Sequence, residues 1–171
     1  QLRGTPGSFV DVWIEGIMKN PITDTRDGNT YNWVQIGTQI WMTKNLAYLP
    51  AVSPPTIGTI PAKYYYVYGY NGSDVTAAKA YTNYTTYGVL YNWPAAMTAC
   101  PSGWHLPSDA EWTTLSTYLG GEAVAGGKMK SISGWDSPNV GATNESGFSG
   151  LPGGFLIHSD SWGFFITVGF L

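Results

Sequence analysis

The chain has 171 residues and a formal net charge of −3, with 43% hydrophobic, 15% aromatic and only 11% charged residues, the last well under the ~25% usual in globular domains. That length suits one domain with a real core, the eight scattered basic residues exclude nucleic acid as the default partner, and no apolar run approaches membrane-spanning length. A chain with 22 Gly, 11 Pro, 8 Trp and 12 Tyr is expected to be loop-rich, with aromatic anchors and many turns.

Residues 1–8, with Gly4, Pro6 and Gly7, read as a linker. Residues 9–18 read as a strand: Val10, Val12 and Ile14 fall on one face and Phe9, Asp11, Trp13, Glu15 and Ile17 on the other. Asn20-Pro21 ends it. Asp27-Gly28 is a hairpin signal, so residues 31–36 are predicted to form a strand after a turn at 23–29. Gly37-Thr38 turns the chain again into a short strand at 39–42, and residues 22–46 read as a compact hairpin unit. Pro50, Pro54, Pro55 and Pro61 mark 49–62 as an irregular loop. Residues 63–70 read as an aromatic strand, with Tyr64, Tyr66 and Tyr68 on one face. Asn71-Gly72-Ser73 is a turn, and 74–86 reads as an exposed polar stretch.

A short helix is predicted from near Asn92, with Pro94 in the first turn, where its missing N–H costs nothing. The densest stretch is 100–112. Ser108 with Glu111 reads as a capping box, and Pro107 stiffens the approach. Trp112, Leu115 and Leu119 then recur at helical spacing, and Gly120-Gly121 stops the helix, so 108–119 is predicted to deliver one apolar face to a core. A second helix is read at about 122–131, interrupted by Gly126-Gly127. Residues 133–147 form a long loop, 148–155 a glycine-rich turn, and 162–170 a final buried strand.

Five motifs in order carry a family resemblance. They are Trp41-Met42-Thr43-Lys44-Asn45-Leu46, the run from Tyr87 to Met97, Cys100-Pro101-Ser102-Gly103-Trp104-His105-Leu106-Pro107, Glu111-Trp112, and Gly147 to Gly154. Residues 22–171 thereby resemble the Fibrobacter succinogenes major paralogous domain, preceded by a linker and an extra strand over 1–21. The resemblance implies a secreted or surface-attached bacterial protein. It also implies an α+β, C-type-lectin-like fold, shared with formylglycine-generating enzymes and retroelement variable proteins, with two short helices flanking small irregular antiparallel sheets and long loops. The resemblance further implies a continuation past the position of Phe170 and a late cysteine there as the partner of the one matching Cys100. The C-terminal part is therefore expected to be cut short, or supplied by another chain. The start at Gln1 leaves room for a removed leader or an upstream region.

Each candidate site has a structural alternative. As the only cysteine, Cys100 is expected to be a buried, inert thiol, and His105, between Trp104 and Leu106, makes a poor catalytic base for it. Trp93, Trp104, His105 and Trp112 are expected in the core or fixing turns, with Ser108 and Glu111 as caps; a sugar-stacking platform is the alternative for the tryptophans. The ligand-binding candidates are Trp135, Asp136, Asn139, Asn144 and Trp162. Glu145 joins the oxygen-bearing groups of that loop, which could hold calcium although the spacing matches no calcium motif. His105 and His158 are too poorly supported for zinc. Asn71, Asn83 and Asn144 lie in glycosylation sequons.

Two functional expectations follow. The first is a non-catalytic surface domain for adhesion or for binding a glycan or protein ligand, with 71–86 and 133–147 facing the partner. The second is a filament or surface-layer subunit in which copies of the chain join by strand addition through 9–18. Formylglycine-type oxidation needs reactive cysteines that one thiol in a turn does not provide.

Overall fold

A computed structural model describes residues 13–14, 17–18, 21–59, 61–160 and 163–168 of the chain. In chain order its elements are β1 (Trp13–Ile14), β2 (Ile17–Met18), β3 (Ile22–Thr23), β4 (Thr30–Tyr31), β5 (Trp33–Ile36), β6 (Gln39–Met42), β7 (Tyr65–Tyr66), α1 (Val75–Lys79), α2 (Thr82–Tyr87), β8 (Leu90–Tyr91), α3 (Trp93–Ala96), α4 (Asp109–Tyr118), α5 (Glu122–Met129), β9 (Phe155–Asp160) and β10 (Gly163–Val168). The fold is a mixture of short helices and small antiparallel sheets: three two-stranded pairs and one four-stranded sheet of order β7-β8-β10-β9. The described residues divide into two compact units, one holding those up to Lys44 with Pro101–Leu151, the other Asn45–Cys100 with those from Pro152 onward.

The first unit is built on the β5–β6 hairpin. Val34 lies opposite Trp41 and Ile36 opposite Gln39, so one face of the ladder carries all four. Ile36 and Trp41 join Leu115 and Leu119 of the α4 segment and Ala125 of α5 in one buried cluster, with Val34, Trp112, Met129 and Phe148 packed against it. Trp41, Trp112 and Phe148 meet as three rings, with centroids 4.8 to 6.1 Å apart. Helix α4 starts at a complete Ser108–Glu111 capping box. It ends where Gly120 N–H donates to Thr117 and Gly121 N–H to Ser116, both glycines having positive φ. In the 23–29 turn, Asp24 is buried and accepts a forked pair of bonds from Arg26, 2.9 Å from Nε and 2.6 Å from Nη2. The Arg26 bond holds the Asp24 carboxyl below its usual range, against the upward push of burial.

In the second unit, Asn92 caps α3 through Ala95 N–H while also accepting from Tyr64 N–H and donating to Ala62 O. Asn45 donates to Tyr87 O, Tyr84 Oη to Ala47 O and Tyr91 Oη to Tyr48 O, which fasten the 45–48 segment to the α2–β8 region. Tyr66 donates to Ile57 O at 2.6 Å. Burial, helped by a neighbouring Tyr64, pushes the Tyr66 hydroxyl pKa up to about 12.

Several expectations are corrected. There are five helices among the described residues, not two. The polar stretch 74–86 forms α1 and α2: Asp74 caps the first through Thr76 and Ala77 N–H, and Ala78 and Tyr84 turn inward. The 63–70 strand shrinks to Tyr65–Tyr66, because Gly69 at φ 78° and a Tyr70 N–H bond to Val67 O close a turn directly after it. The 31–36 strand divides, Tyr31 pairing with Ile22 while β5 pairs with β6. Within 9–18, β1 and β2 pair antiparallel with each other, Trp13 opposite Met18, so the segment folds back rather than running on as one strand. The final strand spans Gly163–Val168 and pairs with β9 and β8. The 1–8 linker lies outside the described residues.

Candidate functional site

The loop expected to face a ligand is laced onto its own unit. Trp135 donates its indole N–H to Gly150 O at 2.9 Å, and the Lys130 ammonium sits 4.7 Å from the ring centroid. Asn139 donates its side-chain amide to Ser131 O at 3.1 Å, and its backbone N–H to Asp136 O at 2.9 Å. Asn144 grips Ser149 twice, donating to its Oγ at 3.0 Å and accepting from its N–H at 2.8 Å. Glu145 faces Lys128 at 3.4 Å. Each side-chain amide or carboxylate so described is turned to a different partner. Asp136 itself is exposed. Asn139 Oδ1 is buried without a partner, but calcium takes 6–8 oxygens, and the Asn144 amide and the Glu145 carboxylate are turned to Ser149 and Lys128. Among the described residues no three His, Cys, Asp or Glu side chains cluster to hold a metal ion. Trp162 lies outside the described residues, as does the side chain of His158.

The 101–112 stretch leads into the capped start of α4. His105 is exposed, and its Nε2 lies 3.0 and 3.1 Å from the two Glu111 carboxylate oxygens. Glu111 also accepts from Ser108 N–H at 2.8 Å and from Ser108 Oγ at 2.9 Å. Partial burial pushes its carboxyl pKa up, but the bonds from Ser108 and His105 and the His105 charge outweigh it and hold the value at about 2. The Glu111 backbone carbonyl accepts from Gln39 Nε2 at 3.0 Å, tying the helix start to β6. Trp104 and Cys100 are half-buried, and Trp112 packs on the core. Trp93 is 68% exposed, because Asn92 takes the capping role and leaves the indole at the first position of α3 facing solvent.

Two exposed ring contacts that the pattern did not single out lie in the second unit. Tyr68, 59% exposed, meets Tyr87 edge-on with centroids 6.5 Å apart; Tyr81, 43% exposed, meets Tyr70 edge-on at 5.2 Å. Tyr68 and Tyr70 flank the Gly69 turn, while Tyr81 precedes α2 and Tyr87 ends it. Asn83 Nδ2 donates to Tyr68 O at 3.0 Å, locking the turn to the helix. The sequence carries the signal as a run of alternating tyrosines followed by Tyr81 and Tyr87, and the pairing needs the turn at Gly69 that one strand over 63–70 lacks. Of the sequons, Asn71 is exposed, while Asn83 and Asn144 have their amide nitrogens hydrogen-bonded.

Compared with known proteins, residues 34–170 match the family described as the Fibrobacter succinogenes major domain. No curated protein and no solved structure matches the chain.

Proposed function

The chain belongs to the Fibrobacter succinogenes major domain family, and from that premise we propose that it is a non-catalytic, extracellular or cell-surface domain that binds a glycan or protein ligand in adhesion. The observation that carries this reading is the pair of braced, solvent-facing tyrosine contacts in the second unit. Ordered aromatic side chains exposed in this way supply contact area with little conformational entropy to lose on binding. The acid–histidine pair Glu111–His105 serves a helix cap, and the forked Asp24–Arg26 pair serves a turn. A C-type-lectin-like frame is part of the proposal, supported by the combination of short helices, small antiparallel sheets and a long laced loop. The filament reading is less favoured, because β1 and β2 already use part of 9–18 to pair with each other.

The test is surface retention. The purified chain, immobilised, is expected to retain bacterial or host cells or their isolated surface glycans and glycoproteins, and the soluble chain is expected to compete. If neither cells nor isolated surface components are retained, the reading is overturned.

A further inference from the structure

The proposed adhesive surface is here given a chemistry, and the argument rests on that adhesion reading. We infer that the tyrosine surface of the second unit, centred on Tyr68 and Tyr81, is a binding site for a neutral saccharide. In each contact a half-buried ring, Tyr87 or Tyr70, braces an exposed one at close to a right angle, 90° and 77° respectively. The exposed rings are therefore held in place before any ligand arrives, and the Asn83 bond to Tyr68 O ties the turn that carries Tyr68 to the helix that Tyr81 directly precedes. Little side-chain entropy remains to be lost on binding.

The surroundings suit a pyranose. A sugar ring has an apolar C–H face that stacks on an aromatic ring and an edge of hydroxyls that needs neutral hydrogen-bonding groups. Thr82 and Thr85 are exposed on α2, one and four residues on from Tyr81. From 64 to 91 the only charged residues are Asp74 and Lys79. Asp74 Oδ1 is occupied by Thr76 and Ala77 N–H, at 2.8 and 3.1 Å. A surface so poor in cations does not fit an anionic ligand. It does not fit a folded protein partner either: a specific interface buries about 1,200–2,000 Å² in total, whereas two partly exposed aromatic rings offer at most ~500 Å². An oligosaccharide makes its contacts on that smaller scale.

Cellohexaose, maltohexaose and chitohexaose, titrated calorimetrically into the full chain, test the inference. At least one is expected to bind, and Tyr68→Ala and Tyr81→Ala are each expected to weaken it by about threefold to tenfold, the loss of one stacked ring. Each alanine variant also loses one edge-on ring contact, so the melting temperature should fall by only about 2–4 °C. Tyr68→Phe and Tyr81→Phe, which keep the ring, should retain binding. Failure of all three sugars to bind, or undiminished binding by both alanine variants, overturns the inference. If the chain retains cell surfaces yet takes up none of these sugars, the saccharide assignment fails while the adhesion reading stands; if cell-surface retention fails too, both fall.

Discussion

Glu111 satisfies backbone, hydroxyl and imidazole donors with one carboxylate, and all three favour its charged form. Its carboxyl titrates at about 2 in the fold against an ordinary 4.5. Folding therefore favours the charged form. The stabilisation is fully present above about pH 4.5 and is lost as the pH falls through the window from there to about 2, and it amounts to on the order of 2–3 kcal/mol. Asp24 is likewise held below its usual range, so the informative quantity is a difference between variants. Melting temperature followed from pH 6 to pH 2.5 (with salt held constant) should fall more steeply for the native chain than for Glu111→Gln, and the two curves should converge in acid. Parallel curves would mean that the Glu111 contacts do not stabilise the fold. At neutral pH, Ser108→Ala should cost ~1 kcal/mol, the loss of the reciprocal cap.

At the scale of single elements, α5 sets two adjacent glycines apart. A Cβ at Gly126 would meet nothing within 4 Å, whereas one at Gly127 would lie 2.3 Å from the Gly141 carbonyl oxygen. Gly127 O also accepts from Thr143 N–H, so the laced loop approaches the helix backbone at this residue. Gly126→Ala should stabilise the chain by ~0.5–1 kcal/mol through helix propensity, and Gly127→Ala should destabilise it by ~1–3 kcal/mol through overpacking. Chemical denaturation midpoints of opposite sign would bear this out; equal effects would not. The sequence alone placed α5 with both glycines as interruptions, because propensity is local and the approach of Gly141 is not. The same division runs through the whole fold. The Ser108 box, the Gly120-Gly121 stop and the Asn92 cap with Pro94 were legible because each is completed within a few residues. Helices α1 and α2 were not. They have five and six residues, shorter than a helix that holds in isolation, and they form where Ala78 and Tyr84 are buried, Tyr84 with its hydroxyl on the distant Ala47 O. The tyrosine surface was half legible: the residue type was plain, but Tyr68–Tyr87 and Tyr70–Tyr81 meet only after α2 folds.

For the molecule as a whole, chain order conceals how the cores are assembled. The hairpin at 33–42 and the helices at 109–129 share one buried cluster, yet all of 45–100 lies between them in the sequence and belongs to the other unit. Neither unit is a continuous piece of chain. The first closes only when two segments separated by that long stretch meet, which puts its stability in non-local contacts. Leu115, fully buried where hairpin and helices meet, is the residue on which this arrangement can be tested. Leu115→Ala should cost ~2–5 kcal/mol, the usual range for emptying a filled core position. The location of the loss says more than its size. Within a cooperative unit, protection against amide hydrogen exchange falls together in all elements that share a core. It should therefore fall in β5 and β6 as well as in α4 and α5, although the hairpin is remote from position 115 in sequence. Loss confined to α4 would show that the hairpin holds itself without the helices, and would rule out the shared core as the unit of folding.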